Sequence, residues 1–372
     1  MSNQEEFDFQ NEDARSDHPA KELVVPEVSE DLWRELHQAA DAVKKVAPWK
    51  KLYDGDWFGL VDPVSGDTFI GSILGNSRQV YGVHLYLQPE GIEFWNDTII
   101  TNETDIQALQ FRNRMLEIEY VAKGRLEPED LEIRERLNLP NPPNKGRPYA
   151  NFRSIRPMCS PWFIEKEEAR LLVLLAHASL AHYRTYDFEA HQDDYIPGPN
   201  HLPIIPTFAL RDGGDPANDA DWERTEAEMP VAHESDVGEA DDLLQHRVNA
   251  VPVKAGTWQI AAMALPQPMA DWERPYFPRV TIAVDKETEM VMGFSMHGPE
   301  VPIASQFAEV LAKGGEEAGF LPKLIEVCAP AAFESIEPLL EDSQVSVERR
   351  VKLSAWLRAA EAIQQGSHNQ FQ

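Results

Sequence analysis

Long apolar runs and cysteine pairs are scarce in this sequence, and each shortage excludes a class of protein. No apolar run approaches the roughly 20 residues that a helix needs to cross a bilayer. The acidic start, MSNQEEFDFQNEDARSDH, has neither the basic nor the apolar region of a secretory signal. The two cysteines, Cys159 and Cys328, stand far apart, which excludes a disulfide framework and a CxxC-type zinc site. We therefore expect a cytoplasmic protein that contacts no membrane.

Positive charge is also scarce, because 34 Lys and Arg stand against 63 Asp and Glu for a net charge of −29. Residues 187–245 carry a net charge of −14 and residues 1–30 a net charge of −7. Nucleic-acid binding draws its affinity from clustered Lys and Arg, so direct binding is disfavoured. Such acidic stretches usually solvate the chain. They predict a disordered acidic tail over residues 1–28 and an acidic linker or insertion over residues 188–245, within which residues 203–210 have the pattern of a strand.

The sequence does contain enough apolar residues, 42% of 372, for two packed domains. Between Trp49 and Trp95, short aromatic and β-branched runs are separated by Gly, Pro, Asn and Asp, which is typical of a β-meander. The elements predicted for residues 29–187 are a helix over 29–46 with Ser29 as its N-cap, strands over 56–61, 68–74 and 80–87, a helix over 103–121, a short helix from Pro128, a strand over 151–156 and a buried helix over 165–186. This pattern predicts an α+β N-terminal domain, a β-meander packed on helices.

Residues 246–372 have alternating strand and helix patterns. The predicted elements are strands over 251–254, 257–265, 280–284, 289–296, 323–328 and 345–348, and helices over 304–313, 331–340 and 353–364, the first of them ended by Gly314 and Gly315. A hairpin followed by alternating helices and strands predicts an α/β C-terminal domain with a mixed sheet. The order of these elements is similar to that of ribonuclease H-like folds.

Several sequence blocks resemble an uncharacterised bacterial family of two-domain proteins, in which both halves are domains of unknown function. The blocks are PWKKLYDGDWFGLVDPVSGDTFIGSILG, VYGVHLYLQPEGIEFW and FRSIRPMCSPWFIEKEEARLL in the N-terminal half, and WERPYFPRVTIAVDKETEMVMG and LPKLIEVCAPAAFESIEPLLEDSQVSV in the C-terminal half. The resemblance implies no known activity, substrate or catalytic residue. Some relatives end in a Cys-rich, SEC-C-like metal-binding motif, whereas this chain ends in QQGSHNQFQ, so the resemblance implies no metal.

Catalytic and nucleotide-binding motifs are missing from the sequence. It contains no GxSxG, no GxxxxGK[ST] and no GxGxxG. His177 and His182 share a predicted helix at a spacing of five, whereas metal ligands on helices usually sit at i and i+4. His84 alternates with apolar residues in a predicted strand, which is typical of a partly buried cross-strand residue.

One acidic residue, Asp285, lies about where the ribonuclease H-like resemblance implies a catalytic carboxylate. Two-metal phosphodiester chemistry needs several convergent carboxylates. The next acid is expected near Cys328 and Ala329, and Glu326 comes two residues early. The plainer interpretation of Asp285 is a residue of the hairpin turn.

A basic, aromatic patch is the other candidate binding site. Arg147, Arg153 and Arg156 lie close in sequence to Trp162 in an otherwise acidic chain. Such a patch could receive an anionic ligand or the protein's own acidic segment. The alternative is that these arginines pair with the glutamates that begin the 165–186 helix.

We therefore expect a non-enzymatic interaction or scaffold protein that binds a protein partner, with no catalytic residues, no cofactor and no metal. The candidate binding residues are Arg147, Arg153, Arg156, Trp162 and Asp285. Two alternatives stay open. One is a phosphodiester-cleaving enzyme with a degenerate ribonuclease H-like domain, and the other is an acidic inhibitor or nucleic-acid mimic.

Overall fold

The computed structural model describes residues 23–101, 113–142, 146–187, 202–233, 242–270, 272–328, 330–341 and 343–369. These residues form two sheets, one of seven strands and one of five, with eight α-helices. None of the described helices has both the length and the apolarity that crossing a bilayer requires. Most of the predicted tail, and residues 188–201 of the predicted linker, lie outside the described residues.

The first sheet and its helices account for the N-terminal half of the chain. The elements are α1 (Glu30–Val46), β1 (Phe58–Val61), β2 (Thr68–Leu74), β3 (Gly82–Tyr86), α2 (Glu90–Thr101), β4 (Met115–Val121), α3 (Pro128–Arg136), β5 (Tyr149–Ile155), α4 (Lys166–Thr185), β6 (Ile204–Leu210) and β7 (Trp222–Glu228). The strand order is β5-β4-β3-β2-β1-β6-β7. Only the β1–β6 pair is parallel. The predicted meander is therefore the centre of this sheet.

One face of the first sheet is covered by α1 and α4 and holds the main hydrophobic core. Ser29 Oγ accepts a hydrogen bond from Leu32 N at 3.4 Å, as expected of the N-cap of α1. Helix α4 begins with a capping box in which Glu168 Oε2 accepts from Glu165 N at 2.8 Å. Its middle is buried on every side, as its all-round apolar sequence predicts.

The opposite face of this sheet is apolar only in part. Ile70 and Tyr86 pack there with Ile92 of α2. Further along the same face, β3 and β4 present His84, Glu117 and other polar side chains, because successive residues of a strand point to opposite faces.

Two parts of the N-terminal prediction differ from the structure. The predicted helix over 103–121 is wrong, because residues 115–121 form strand β4, while residues 102–112 lie outside the described residues. Leu116, Ile118 and Tyr120 are buried at every second position, which is the period of a strand. In addition, the predicted strand over 203–210 is confirmed as β6, and β6 and β7 extend the first sheet into the segment predicted as an acidic linker or insertion.

The second sheet belongs to the C-terminal half. Its elements are α5 (Asp242–Ala250), β8 (Val253–Ala264), β9 (Arg279–Asp285), β10 (Val291–His297), α6 (Ile303–Ala318), β11 (Leu321–Val327), α7 (Pro330–Ile336), β12 (Ser346–Arg349) and α8 (Ser354–Asn369). The order is β10-β9-β8-β11-β12, with β8, β9 and β10 antiparallel and β11 parallel to both β8 and β12. The predicted mixed sheet is confirmed. Two predicted strands are one continuous strand, β8, and α6 continues beyond Gly314 and Gly315 to Ala318.

A segment between β8 and β9 joins the two halves of the molecule. Ser160 N donates to Pro275 O at 2.9 Å, and Phe277 N donates to Met158 O at 2.7 Å. The chain start joins the same junction, because Val24 N donates to Glu273 O at 2.9 Å. Val24, which lies in the predicted disordered tail, therefore contacts the C-terminal half.

Candidate functional site: a basic and aromatic cavity

A cavity of about 530 Å³ opens beside the C-terminal end of α1. It is lined by Lys44, Ala47, Trp49, Lys50, Arg78, Tyr81, Tyr120, Gly146 and Arg147. Four of these nine side chains are cationic and three are aromatic, although the chain as a whole is strongly acidic.

The aromatic wall is fixed by the way α1 ends. Ala47 adopts a left-handed conformation, with φ of 53°, which ends the helix and turns the chain into a short 3₁₀ segment that carries Trp49. The ring of Trp49 lies 5.3 Å from that of Tyr120 and 5.7 Å from that of Tyr81, measured between centroids. The hydroxyl of Tyr120 donates to Ala40 O at 2.6 Å, which anchors this wall to α1.

Backbone carbonyls and aromatic rings hold two of the cations in place. Lys44 Nζ donates to Pro148 O and lies 5.9 Å from the centroid of the Tyr120 ring. Arg147 donates to Gln79 O, and its guanidinium carbon lies 5.4 Å from the centroid of the Tyr81 ring. Both groups keep further N–H donors that these contacts do not use.

The cations of the cavity are not in direct ion pairs, although Asp41 acts on Lys44 and Glu119 on Arg147 from a greater distance. Among the described residues, no carboxylate lies within ion-pair distance of Lys44, Lys50, Arg78 or Arg147. Burial lowers the pKa of Lys44, and Arg134 lowers it further, against an opposing effect of Asp41. A partly desolvated ammonium whose pKa is lowered gains free energy from an anion beside it. The cavity is therefore suited to binding an anionic group.

Of the five residues predicted to bind a ligand, only Arg147 lines this cavity. Arg153 makes a bidentate ion pair with Asp130, at 3.0 and 2.6 Å, and its guanidinium carbon lies 4.8 Å from the centroid of the Phe163 ring. Asp285 Oδ1 accepts hydrogen bonds from the backbone and hydroxyl of Thr288, both at 2.8 Å, within its own turn.

The other two predicted residues lie at the junction between the halves. Arg156 pairs with Glu168 at 3.0 Å and also with Glu165, as the alternative interpretation of the patch predicts. The indole N–H of Trp162 donates to Val24 O at 2.7 Å. Both side chains therefore bind other parts of the same chain. The three arginines are close in sequence, but in the structure they do not form one common binding surface.

Sequence reasoning missed most of the cavity. A signal was present, because the run KKVAPWKK, residues 44–51, holds four lysines and a tryptophan in an acidic chain. Arg78 and Tyr81 belong to the turn between β2 and β3, and the pairing of these strands in the sheet brings them to the end of α1.

One group of side chains in the described residues has the donors and spacing to hold a metal ion, namely His84, Glu117 and Glu119. It lies on the opposite face of the first sheet from α1. In the C-terminal half, the buried Glu326 contacts Lys286 Nζ at 2.8 Å and Arg350 Nε at 3.1 Å. Glu326 is thus neutralised by two cations.

Comparison with known families gives a match for each half. Residues 33–195 match a domain of unknown function (DUF7309), and residues 244–364 match a domain of unknown function (DUF6930). Each half of the chain therefore matches a domain of unknown function, which confirms what the resemblance of the sequence blocks implied for both halves. A search of curated proteins gives no match.

Proposed function

We propose that this protein is a non-enzymatic, cytoplasmic interaction protein whose N-terminal domain binds an anionic group of its partner or ligand in the cavity beside α1. The observation that carries this proposal is the convergence of Lys44, Lys50, Arg78 and Arg147, without ion-paired carboxylates among the described residues, in a chain of net charge −29.

The dimensions and chemistry of the cavity support this proposal. Its volume lies in the range of about 300–1,000 Å³ that is usual for ligand sites. Lysine and arginine donate to carboxylate or phosphate oxygens, and the faces of Trp49, Tyr81 and Tyr120 add apolar and stacking surface. The chemistry required of a ligand is one or more anionic oxygens beside an apolar or planar group. A phosphorylated small molecule and an acidic protein segment both provide it.

The side chains around the cavity favour binding over catalysis. The lining contains no carboxylate, histidine, serine or cysteine. Lysine and tyrosine can also act as a base or a nucleophile, but Lys44 Nζ and the Tyr120 hydroxyl donate to the backbone carbonyls of Pro148 and Ala40 and not to a catalytic partner.

The alternative of phosphodiester cleavage around Asp285 draws less support. Its carboxylate accepts hydrogen bonds from Glu287 N and Thr288 N, as a turn residue does. No group of metal-spaced ligands among the described residues includes Asp285. The alternative of an acidic inhibitor or nucleic-acid mimic also draws less support, because the cavity is lined by cations, which bind anionic groups.

Isothermal titration calorimetry of the full chain with pyrophosphate and, separately, with a glutamate-rich peptide tests the proposal. We expect binding of at least one probe that weakens as salt rises, and Arg147→Gln should weaken it by about tenfold or more. The control is Lys352→Gln, an exposed cation of the C-terminal half that should leave the affinity unchanged.

The two titrations show which kind of anionic ligand the cavity binds. Binding of pyrophosphate alone indicates a small phosphorylated ligand, whereas binding of the peptide alone indicates an acidic protein segment. If neither probe binds, or if Arg147→Gln and Lys352→Gln weaken binding equally, the cavity is not the anion site.

A further inference from the structure

A second polar cluster lies on the sheet face opposite to α1 and α4. His84 on β3 is paired directly with Glu117 on β4, and Glu119 follows two residues later on the same face. The three side chains therefore project together from two neighbouring strands. Strands at the centre of a sheet hold their side chains more rigidly than loops do, which suits a site of fixed geometry.

The spacing within this cluster is too long for hydrogen bonds. His84 Nε2 lies 3.7 Å from Glu117 Oε1 and 3.6 Å from Glu119 Oε1, whereas N–H···O bonds span about 2.7–3.2 Å. Donor atoms that share a tetrahedral ion at bond lengths of about 2.1 Å lie about 3.4 Å apart. The two histidine–carboxylate distances are close to that value, and one donor atom from each of the three residues falls within 4.8 Å of the others.

The histidine nitrogen that faces the carboxylates has no other partner. His84 is only 6% exposed, and its Nε2 atom makes no hydrogen bond with the described residues. A buried polar atom left without a partner costs about 1–3 kcal/mol. Asn151, which pairs with Glu119 across β4 and β5, also has a buried side-chain oxygen without a partner. The unpartnered Nε2 atom of His84, which lies close to both carboxylates, is therefore placed to accept a bound cation.

The charge of the cluster indicates the sign of that ligand. Among the described residues, no lysine or arginine lies within 4.0 Å of Glu117 or Glu119, and Arg153, opposite Glu117, is paired with Asp130 instead. One oxygen of Glu117 and one of Glu119 lie within 4.8 Å of each other, so the two carboxylates repel each other, and Arg125 and Arg147 act on Glu119 only from beyond ion-pair distance. A cation between the two carboxylates would remove both the repulsion and the cost of burial.

We propose that His84, Glu117 and Glu119 bind one divalent transition-metal ion of the Zn²⁺ type, through Nε2 and one oxygen of each carboxylate. One imidazole nitrogen and two carboxylate oxygens form a donor set that suits Zn²⁺ better than Mg²⁺ or Ca²⁺, which prefer oxygen alone. Three protein ligands leave a coordination position for water or a further ligand. The side chain of Glu119 is 24% exposed, so an ion can enter past it.

Titration of the metal-free full chain with Zn²⁺, Mn²⁺ and Mg²⁺ tests this proposal. We expect one Zn²⁺ per chain, weaker binding of Mn²⁺ and still weaker binding of Mg²⁺. His84→Gln and Glu117→Gln should each weaken Zn²⁺ binding by about a hundredfold, because each removes one of three ligands. The control Glu132→Gln changes an exposed glutamate of α3 and should bind as the unaltered chain does.

Two further measurements separate metal binding from a change of fold. Zn²⁺ should raise the melting temperature of the unaltered chain but not of Glu117→Gln, and Co²⁺ should give a visible absorption band that His84→Gln loses. Lys50→Gln, which changes a cation of the cavity that does not act on Glu117 or Glu119, should bind Zn²⁺ normally, so this site can fail or succeed independently of the anion cavity. The proposal is overturned if millimolar Zn²⁺ leaves the unaltered chain unbound, or if Glu117→Gln binds with the same stoichiometry and affinity.

Discussion

Burial gives several histidines of this protein a pKa far from that of the free side chain. His182 is 1% exposed and lies between the rings of Phe58 and Phe208, at centroid distances of 5.1 and 5.9 Å. Its desolvation lowers its pKa from 6.5 to about 4, against a smaller effect of the Asp56 carbonyl. The same cause lowers the pKa of His37 to about 3. Both side chains are neutral in the folded protein at physiological pH.

The lowered pKa of His182 predicts a loss of stability in weak acid. Between pH 6.5 and 4 the unfolded chain binds a proton at this residue and the folded chain does not, so the free energy of unfolding falls as the pH falls. Well above pH 6.5, where His182 is neutral in both states, the free energy of unfolding no longer changes through this residue. At pH 5 the loss from His182 should be about 2 kcal/mol relative to neutral pH. Urea unfolding at pH 7.5 and 5 measures it.

Variants isolate this contribution from that of other groups. His182→Gln removes the titrating group, so its stability should fall less between the two pH values than that of the unaltered chain. His246→Gln, at an exposed position, should keep the full pH dependence. Equal pH dependence in His182→Gln and in the unaltered chain would contradict the assignment.

The cluster of candidate metal ligands could not be predicted from the sequence. His84 was predicted as a cross-strand residue, and it is one. Glu117 and Glu119 fell in a predicted helix, where positions i and i+2 point in nearly opposite directions. In a strand the same two positions share a face, so the cluster exists only once β4 is recognised as a strand. The register that places His84 opposite Glu117 depends on contacts between distant segments, which no local pattern encodes.

At the scale of elements, local chemistry predicted most helix starts and hairpins. The N-cap Ser29, the first-turn acids of α4 and the hairpin turn at Asp285 are all signals of short range, and the structure follows them. Helix ends and long strands were less predictable. The second and third strands of the meander keep their predicted bounds within two residues, whereas β8 passes through residues 255 and 256, which lie between two predicted strands.

Gly314 and Gly315 lie inside helix α6, although the sequence predicted that they would end it. A Cβ atom on Gly314 would lie 2.7 Å from Met292 O, and one on Gly293 would lie 2.8 Å from Val310 O. The two glycines therefore let α6 and β10 approach closely, and Gly314 is in the helix for packing. The helix ends at Gly319, whose φ of 71° is the left-handed conformation that favours glycine.

This close approach predicts that Gly314→Ala destabilises the protein. Alanine is the better helix former by about 1 kcal/mol, but its methyl group would meet a backbone oxygen that cannot move alone. We expect a net loss of about 1–3 kcal/mol in the free energy of unfolding, measured by urea titration. Gly124→Ala is the matched control, because a Cβ there has no heavy atom within 4 Å, and it should change stability by less than about 0.5 kcal/mol. A stabilising effect of Gly314→Ala would refute the packing argument.

At the scale of the whole molecule, the acidic residues do not all lie in connectors. Residues 187–245 hold the greatest excess of acids, yet β7 within them is an edge strand of the first sheet. Exposed glutamates along an edge discourage pairing with another chain. Part of the net charge thus protects a sheet edge, which composition alone does not distinguish from the solvation of a linker.

The junction between the halves is the feature that sequence could least predict. Arg274, which follows β8, is 3% exposed and reaches into the N-terminal half, where it contacts Ser154 Oγ at 3.4 Å and Glu165 Oε1 at 3.6 Å. Arg156 binds the same Glu165. Residues 120 positions apart meet in this cluster, so only the folded molecule brings the two arginines and the carboxylate together.

Loss of Arg274 should therefore uncouple the two halves. In Arg274→Ala, the backbone pairing of residues 158–160 with 275–277 stays, but the buried charged anchor between the halves is lost. We expect the unaltered chain to unfold in one calorimetric transition and Arg274→Ala to unfold in two, with a loss of about 2–3 kcal/mol. The comparison is Arg247→Ala, which breaks a surface ion pair with Glu316 inside the C-terminal half and should cost less than about 1 kcal/mol. A single transition at an unchanged temperature in Arg274→Ala, or two transitions already in the unaltered chain, would mean that this junction does not couple the domains.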